Sequence, residues 1–509
     1  MIAVGSKGSN KCYLVSGRNK NGYYATLSHC WGHTHNRPLS TTDRSLPCRQ
    51  LGIEDEALPR TFRDAVQVCR EMGIEYIWID SLCIIQDQET QEDWTKEAPT
   101  MGNVYGNTML TISAATAADC TQGCFTERLG QICWPCPIVL FGEACYLSRH
   151  PTEREETLGD PGDLGWEDSN VLGRRAWVLQ EQILSRRSII FLGNRLIWRC
   201  ATLSTNEKYP LGIPHSPNTF ADDNRLLHCI INGITLSMPK ESAIHKYSCW
   251  YNTVGEFTSR NLTYKKDRLS AIAGIAKRFG VAVNDSYHAG LWRNDMILGL
   301  LWDARNAVTC TAKSTRAPSW SWASINEAVY YSAAGRSRAP YSSLVRNLDV
   351  SDPKTCDDHP FGAMSEASLS LSGIVLELMQ DEQENSFLGL IDKDYRFVGG
   401  IKDLFLDVSD LGRRDQSPLV CLPVCICHDR YHSGLSDHGE FNRVSWQRSL
   451  EAGRVEAKGR HELYCLILQA VERNKGTYRR VGLCIVGYFK INEIARMSLF
   501  GEHRSITII

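Results

Sequence analysis

Apolar residues in the first part of the chain form short continuous runs that alternate with helical stripes. The runs predict strands, and they lie at 23–28, 76–80 and 110–115. The second run is apolar on consecutive positions, as in a strand buried on both faces of a parallel sheet. The stripe over 58–72 predicts a helix, with Pro59 in its first turn and Gly73 after its last. The alternation predicts a three-layer α/β domain over 1–205.

Two further patterns refine this domain. A one-sided apolar pattern over 175–186 predicts a helix, and the following segments flank Gly193-Asn194, a two-residue turn typical of a β-hairpin. These two strands are predicted at 188–192 and 195–200. Pro99 interrupts an earlier helical stripe. Because an interior proline destabilises a helix by about 3 kcal/mol, we expect a kink or a helix start there.

The rest of the chain has a different pattern. Pro210, Pro214 and Pro217 indicate a linker, and the residues after it are mostly helical in pattern, so 206–317 is predicted to be a linker and helical segment. Short β-type runs such as 369–375 predict a β-rich region over 318–509.

Charge and composition narrow the function classes. The 509 residues contain 56 Lys and Arg against 58 Asp and Glu, a net charge of −2, which argues against a nucleic-acid-binding role. No apolar run is long enough for a transmembrane helix, and the N-terminus lacks the pattern of a secretory signal. We therefore expect a cytoplasmic protein whose 20 cysteines are reduced.

One cluster near the C-terminus has the residue types of a metal site. Its thiols and imidazoles lie close in sequence, namely Cys421, Cys425, Cys427, His428, His432 and His438. Zinc prefers such ligands, but the spacing fits zinc patterns loosely and 419–426 also predicts a strand, in which buried cysteines act as small apolar residues. We predict no metal. Dinucleotide, Walker A, zinc-protease and nucleophile-elbow motifs are absent from the sequence.

Several longer motifs occur in one order along the chain. They are Ser28-His29-Cys30-Trp31-Gly32, the helix opening Leu58-Pro59-Arg60-Thr61-Phe62-Arg63-Asp64-Ala65, Trp78-Ile79-Asp80-Ser81-Leu82-Cys83-Ile84-Ile85-Gln86-Asp87 and Arg175-Ala176-Trp177-Val178-Leu179-Gln180-Glu181. Through them the sequence closely resembles the fungal heterokaryon-incompatibility (HET) family. The resemblance implies a parallel sheet similar to Toll/interleukin-receptor (TIR) and flavodoxin-like domains, and a role in nonself recognition and cell death. Since TIR-like domains often cleave NAD, it also implies NAD as a substrate, with no resident cofactor.

The same motifs supply the candidate site. Ligands of open parallel sheets bind beyond the carboxyl ends of the strands, where we expect these motifs to meet. We predict Glu181, Asp80 and Arg175 as catalytic residues, with a carboxylate holding the ribose and stabilising an oxocarbenium-like transition state, and Arg175 holding phosphate. The predicted substrate-binding residues are Ser28, His29, Trp31, Cys83, Gln86, Trp177 and Gln180.

Structural roles are the alternative for each of these residues. The tryptophans are also typical of a hydrophobic core, and Asp80 and Arg175 are typical of a buried ion pair. Glu181 is also typical of a buried group that accepts hydrogen bonds from loop amides. His29 also fits a structural histidine. Cys30 and Cys83 become candidate nucleophiles only beside a base.

The sequence is compatible with three functions. The first is a signalling protein that consumes NAD or assembles with a second copy or another protein partner. The second is a cofactor-independent biosynthetic enzyme that orients a small molecule for cyclisation or [4+2] cycloaddition. The third is a non-catalytic interaction protein. Arg199 stands where many family members have an acidic residue, which favours a changed activity.

Overall fold

The computed structural model describes residues 1–17, 22–32, 37–87, 92–126, 136–140, 143–147, 170–193, 195–207, 210–212, 227–233, 243–304, 317–331, 341–351, 367–381, 386–391, 397–407, 419–428, 461–471, 476–489 and 503–509. The chain forms two compact units. The first comprises Met1–Ser237, Arg260–Thr263 and Ser270–Ala282; the second comprises Met238–Ser259, Tyr264–Leu269 and Val283–Ile509. In the described part of the chain, no helix has both the length and the apolar character needed to cross a bilayer.

The α-helices of the described residues are α1 (Leu46–Leu51), α2 (Arg60–Glu71), α3 (Asp80–Cys83), α4 (Glu92–Glu97), α5 (Met101–Asn107), α6 (Ala176–Leu184), α7 (Ala243–Ser259), α8 (Ala273–Val283) and α9 (Met296–Gly299). The strands of the first unit are β1 (Ile2–Ala3), β2 (Lys11–Leu14), β3 (Tyr24–Ser28), β4 (Ile53–Glu54), β5 (Tyr76–Trp78), β6 (Leu110–Ala114), β7 (Cys136–Leu140), β8 (Glu143–Leu147), β9 (Arg187–Leu192), β10 (Arg195–Cys200) and β11 (Ser204–Asn206).

A nine-stranded mixed sheet organises the first unit, in the order β11-β10-β9-β6-β3-β5-β1-β2-β4. Its centre is parallel, because β3 pairs in parallel with both β5 and β6, and β6 pairs in parallel with β9. Every residue of β6 is buried, as expected for a parallel strand with both faces covered. The predicted α/β class and the predicted hairpin of β9 and β10 are confirmed.

Local sequence explains where the helices of this unit begin and end. The buried face of α2 carries Phe62, Ala65 and Cys69, and Gly73 follows the helix with a φ of +70°, a conformation that favours glycine. Pro99 lies in a short 3₁₀ segment, Ala98–Thr100, which separates α4 from α5. The predicted interruption at this proline is therefore confirmed.

The second unit is rich in strands, as predicted. They are β12 (Tyr287–His288), β13 (Leu291–Trp292), β14 (Tyr341–Ser343), β15 (Arg346–Ser351), β16 (Ser368–Gly373), β17 (Leu376–Asp381), β18 (Ser386–Ile391), β19 (Phe397–Leu406), β20 (Leu419–His428), β21 (His461–Ala470), β22 (Thr477–Phe489) and β23 (Arg504–Ile508). Helices α7, α8 and α9 all lie within 206–317, the predicted linker and helical segment.

Six of these strands pair into a closed ring. Each of β17-β18-β19-β22-β21-β20 pairs antiparallel with the next, and β20 pairs back to β17. Buried side chains from these strands form one apolar cluster, which includes Leu376, Leu390, Ile467 and Val486. We call these six strands the closed ring.

A buried arginine links several segments of the second unit. Arg480 donates to Oδ2 of Asp407 at 3.0 Å and to the carbonyl oxygens of Leu300 and Trp302, each at 2.5 Å. Its guanidinium also lies 3.4 Å from the ring centroid of Trp302. These contacts satisfy a charge that has no access to solvent.

Candidate functional site

The candidate site lies beyond the carboxyl ends of the central parallel strands. β3 lies between β5 and β6, and its last residue, Ser28, is in register with Ser113 of β6. The chain leaves these two strands in opposite directions along the sheet, since the next parallel strand after β3 is β5, on one side, and the next after β6 is β9, on the other. Such a reversal point is where open parallel sheets bind their ligands.

Asp80 is held by groups from two segments. Its Oδ2 accepts a hydrogen bond of 2.7 Å from Nε1 of Trp31, and its Oδ1 accepts one of 2.7 Å from the backbone N–H of Ser81. Nδ1 of His29 lies 3.8 Å from Oδ1. Asp80 therefore fastens the segment after β3 to the start of α3.

Arg175 precedes α6 and reaches the same segment. Its Nη1 donates to the carbonyl oxygen of His29 at 2.7 Å, so Arg175 and Asp80 have different partners rather than each other. The backbone around Arg175 is fixed by Asn261, which accepts from Ala176 N–H at 2.9 Å and donates to the Arg174 carbonyl at 2.6 Å. One side chain and two backbone bonds thus set the start of α6.

Glu181 is the second carboxyl group of the site and is buried in the middle of α6. Burial raises its pKa to about 7, although the Ser28 hydroxyl and the Arg175 charge oppose this effect. Its Oε2 has no hydrogen-bond partner among the residues that the structure describes. A carboxyl group in this state changes charge near neutral pH and has an oxygen available for a ligand.

Two more buried polar atoms lack a partner within the described ranges, namely Oγ of Ser28 and Nε2 of His29. Both residues come from the end of β3. Burial lowers the pKa of His29, partly countered by Asp80, and its ring packs edge-on against Phe62 with centroids 4.9 Å apart. Buried polar groups are usually hydrogen-bonded, so three such atoms close to one sheet edge indicate a place where a polar ligand or water completes the bonding.

The remaining predicted residues have contacts of their own. Oε1 of Gln180 accepts a hydrogen bond of 2.7 Å from Gly274 at the start of α8. Trp177 packs edge-on against Trp94, with ring centroids 5.9 Å apart. Gln86 donates to the Ile84 carbonyl at 3.1 Å, and Sγ of Cys83 accepts from the Ile79 N–H at 3.5 Å. These four side chains already have protein partners.

Two cysteines of the motifs are less suited to nucleophilic chemistry. Burial raises the pKa of both Cys30 and Cys83, although the Arg175 charge opposes this for Cys30. Since the thiolate is the nucleophile, a raised pKa disfavours catalysis by either group.

Tyr105 was not predicted as a site residue. It is buried on α5, its hydroxyl donates to the Leu27 carbonyl at 3.4 Å, and burial together with the nearby Glu181 charge raises its pKa well above the usual value. In the sequence Tyr105 belongs to an apolar helical stripe, so its position indicates a core residue. Only the packing of α5 beside α6 brings its hydroxyl near Glu181.

The comparison with known families matches this part of the chain. Residues 24–181 match the family model described as heterokaryon incompatibility protein (HET). The first unit contains a HET domain. The match extends from β3 to Glu181, so the HET domain includes the candidate site. Neither the curated proteins nor the solved structures include a match to this chain.

Proposed function

We propose that this protein is a signalling enzyme of fungal nonself recognition whose HET domain cleaves NAD at the site around Glu181. One observation carries the proposal: Glu181 is a buried carboxyl group with a pKa of about 7 and an oxygen without a partner among the described residues. Asp80, the other predicted carboxylate, has both oxygens occupied by donors. Glu181 is therefore the better candidate for contact with a substrate.

The order of the parallel strands supports a TIR-like interpretation of this domain. If β3, β5, β6 and β9 are numbered 1 to 4 in chain order, their spatial order across the sheet is 2-1-3-4. Flavodoxin-like sheets begin with the same order and bind ligands at the same reversal point. This likeness is one of topology, and it supports the place of the substrate rather than the reaction.

The chemistry would be hydrolysis of an N-glycosidic bond. The bond between C1′ of the ribose and the nicotinamide nitrogen breaks, and its electron pair leaves with nicotinamide as a neutral molecule. Water then adds to C1′, and one proton is released. Ionised Glu181 would stabilise the positive charge that develops at C1′, as carboxylates do in glycoside hydrolysis.

The neighbours of Glu181 would position the substrate. Arg175 uses Nη1 for the His29 carbonyl, which leaves guanidinium N–H groups for a phosphate of NAD. His29 Nε2, which has no partner within the described ranges, could bond a ribose hydroxyl, and the Ser28 hydroxyl, which lies beside Glu181, could bond another. Trp31, held by Asp80, would form an aromatic wall. We propose that a second copy or a protein partner controls this activity in the cytoplasm.

The test is incubation of the purified full-length protein with NAD at pH 7, with nicotinamide release followed by chromatography. We expect release by the native protein and loss in Glu181→Gln, an isosteric change that keeps the packing of α6. Glu71→Gln is the matched control, because Glu71 is an exposed residue of α2 that pairs with Lys7. Circular dichroism verifies the fold of all three proteins.

Three results would contradict the proposal. One is absence of release at high protein concentration, which would turn attention to cyclisation or to a binding role. Another is equal release by folded Glu181→Gln. The last is an equal loss in Glu71→Gln, since that residue lies outside the site.

A further inference from the structure

The second unit contains a group of three thiols inside the closed ring. Cys421 lies on β20, Cys465 on β21 and Cys484 on β22, and each is fully buried. Their Sγ atoms all lie within 4.8 Å of one another, and those of Cys421 and Cys484 are 3.4 Å apart. Cys421 and Cys484 are 63 positions apart along the chain, and strand pairing brings them together with Cys465.

The pairing register explains why the three side chains share one face. Cys465 is directly opposite Cys484, and Cys421 is opposite Ile467, two residues along β21 from Cys465. Since side chains two residues apart on a strand point to the same side, the three thiols project together. All three belong to the apolar cluster of the ring, together with residues such as Leu463 and Val486.

The three thiols lie close enough to one another to share one metal ion. Within the part of the chain that the structure describes, no histidine or carboxylate joins the group. The donor set is therefore sulfur only, with three ligands.

We propose that Cys421, Cys465 and Cys484 bind a soft, thiophilic cation, with Cu(I) as the ion. Soft thiolate sets select Cu(I), zinc and iron–sulfur clusters, and structural zinc almost always takes four ligands. Three sulfurs without a fourth ligand among the described residues favour an ion that accepts three-coordination. A cation about 2.3 Å from each sulfur would hold the sulfurs about 4 Å apart, close to the present separations.

Binding involves no change of oxidation state. Cu(I) replaces the proton of each thiol that becomes a thiolate, and those protons go to solvent. The single positive charge of Cu(I) balances the charge of one thiolate inside the apolar ring. Because the group is enclosed, we expect the ion to enter during folding rather than afterwards.

Sequence proximity alone points to a different set of residues. Of the predicted cysteine–histidine cluster, only Cys421 belongs to this group. Cys425 is opposite Tyr464, and that register places it on the other face of the sheet. His432 and His438 lie outside the described residues.

The test uses full-length protein produced in copper-supplemented medium and purified under argon with a reductant that does not bind copper. Copper per chain is measured by mass spectrometry, and thiolate-to-Cu(I) charge transfer is measured by near-ultraviolet absorption. Retention is then challenged with bicinchoninate, a Cu(I) chelator. We expect one copper per chain and the charge-transfer band in the native protein.

Variants separate a built site from incidental thiol binding. Cys421→Ala, Cys465→Ala and Cys484→Ala should each weaken retention against the chelator by at least about 100-fold, because one of three bonds to the ion is lost. Cys425→Ala is the matched control, since Cys425 is equally buried on the same strand as Cys421 but faces the other side. It should retain copper like the native protein.

Several outcomes would overturn the site. They are a native protein without copper above the level of a cysteine-rich control, equal loss in Cys425→Ala, or full retention in the three ring variants. If a ring variant fails to fold by circular dichroism, the other two decide. A fourth ligand revealed by tetrahedral zinc in the native protein would overturn Cu(I) as the ion.

Discussion

The indole N–H of Trp31 donates a hydrogen bond of 2.7 Å to Oδ2 of Asp80, although the two residues are 49 positions apart. This bond joins the segment after β3 to the start of α3, and Arg175 holds the same segment through the His29 carbonyl. Asp80 and Arg175 thus both hold the segment that follows β3. Loss of either contact should affect stability and the geometry around Glu181 together.

Trp31→Phe removes the donor and keeps an aromatic ring. Because the Asp80 side chain is mostly shielded from water, losing this bond should destabilise the protein by about 1–2 kcal/mol. We also expect slower NAD cleavage. Thermal unfolding and nicotinamide release measure the two effects. Trp94→Phe is the control, because Trp94 meets Trp177 through its ring, and a comparable loss there would contradict the role of the Asp80 bond.

Gly102 of α5 packs directly against Gly274 of α8. A Cβ on Gly102 would lie 2.8 Å from the Cα of Gly274, and backbone at that distance cannot move aside as a flexible side chain can. We expect Gly102→Ala to destabilise the protein by about 1–3 kcal/mol through overpacking. Denaturant unfolding of the full-length protein measures this change.

Gly106→Ala on the same helix is the matched control for this prediction. The three atoms nearest to its Cβ would belong to the guanidinium end of Arg278, which can shift, and alanine favours a helix over glycine by about 1 kcal/mol. We expect a small effect of either sign. Equal destabilisation by both variants would show that helix α5 tolerates no added methyl group, irrespective of Gly274.

The raised pKa of Glu181 predicts a pH dependence of stability. In the unfolded chain this group ionises near its ordinary pKa of 4.5, whereas in the folded protein it ionises near 7. Between these values the unfolded state gains charge and the folded state does not, so stability falls as pH rises and then levels off above about 7.

Glu181→Gln should remove this pH-dependent contribution. Relative to the native protein, the variant should gain roughly 3 kcal/mol in unfolding free energy between pH 4.5 and pH 8. Denaturant midpoints at several pH values test this. A pH-independent difference between the two proteins would mean that the pKa of Glu181 is similar in the folded and unfolded states.

Arg480 should be intolerant of conservative replacement. Arg480→Lys cannot reproduce the bonds to Asp407, Leu300 and Trp302 together, and it leaves buried groups without partners. We expect a loss of about 3 kcal/mol. Arg479→Lys, at the preceding position of β22, should change the denaturant midpoint little. Equal midpoints for the two variants would contradict the importance of this buried network.

Local patterns in the sequence predict much of the fold. The apolar stripe before Gly73, the proline at position 99 and the Gly193 turn each act within a few residues, and the structure follows all three. The motifs also place Ser28, Asp80 and Glu181 in one domain. Periodicity and turn chemistry are sufficient at this range because both depend on neighbouring residues.

Long-range packing accounts for what the sequence does not reveal. Whether Asp80 or Glu181 retains an available oxygen depends on the indole of Trp31, and no spacing rule indicates that bond. The three ring thiols depend on strand register in the same way, since a shift of one residue would turn Cys465 to the other face. Contacts of this kind require the pairing to be known.

Nearly all of helix α8 belongs to the first unit, although it is synthesised long after the sheet of that unit. Its Gly274 bonds Gln180 and packs on Gly102, yet it is encoded almost seventy residues beyond the last strand of the sheet, β11. A ribosome adding about 5–20 residues per second needs several seconds to cover that distance. During this interval the sheet has emerged while the side of α6 that receives α8 is uncovered. The proposed active site would therefore be completed only after helix α7 of the second unit has been synthesised.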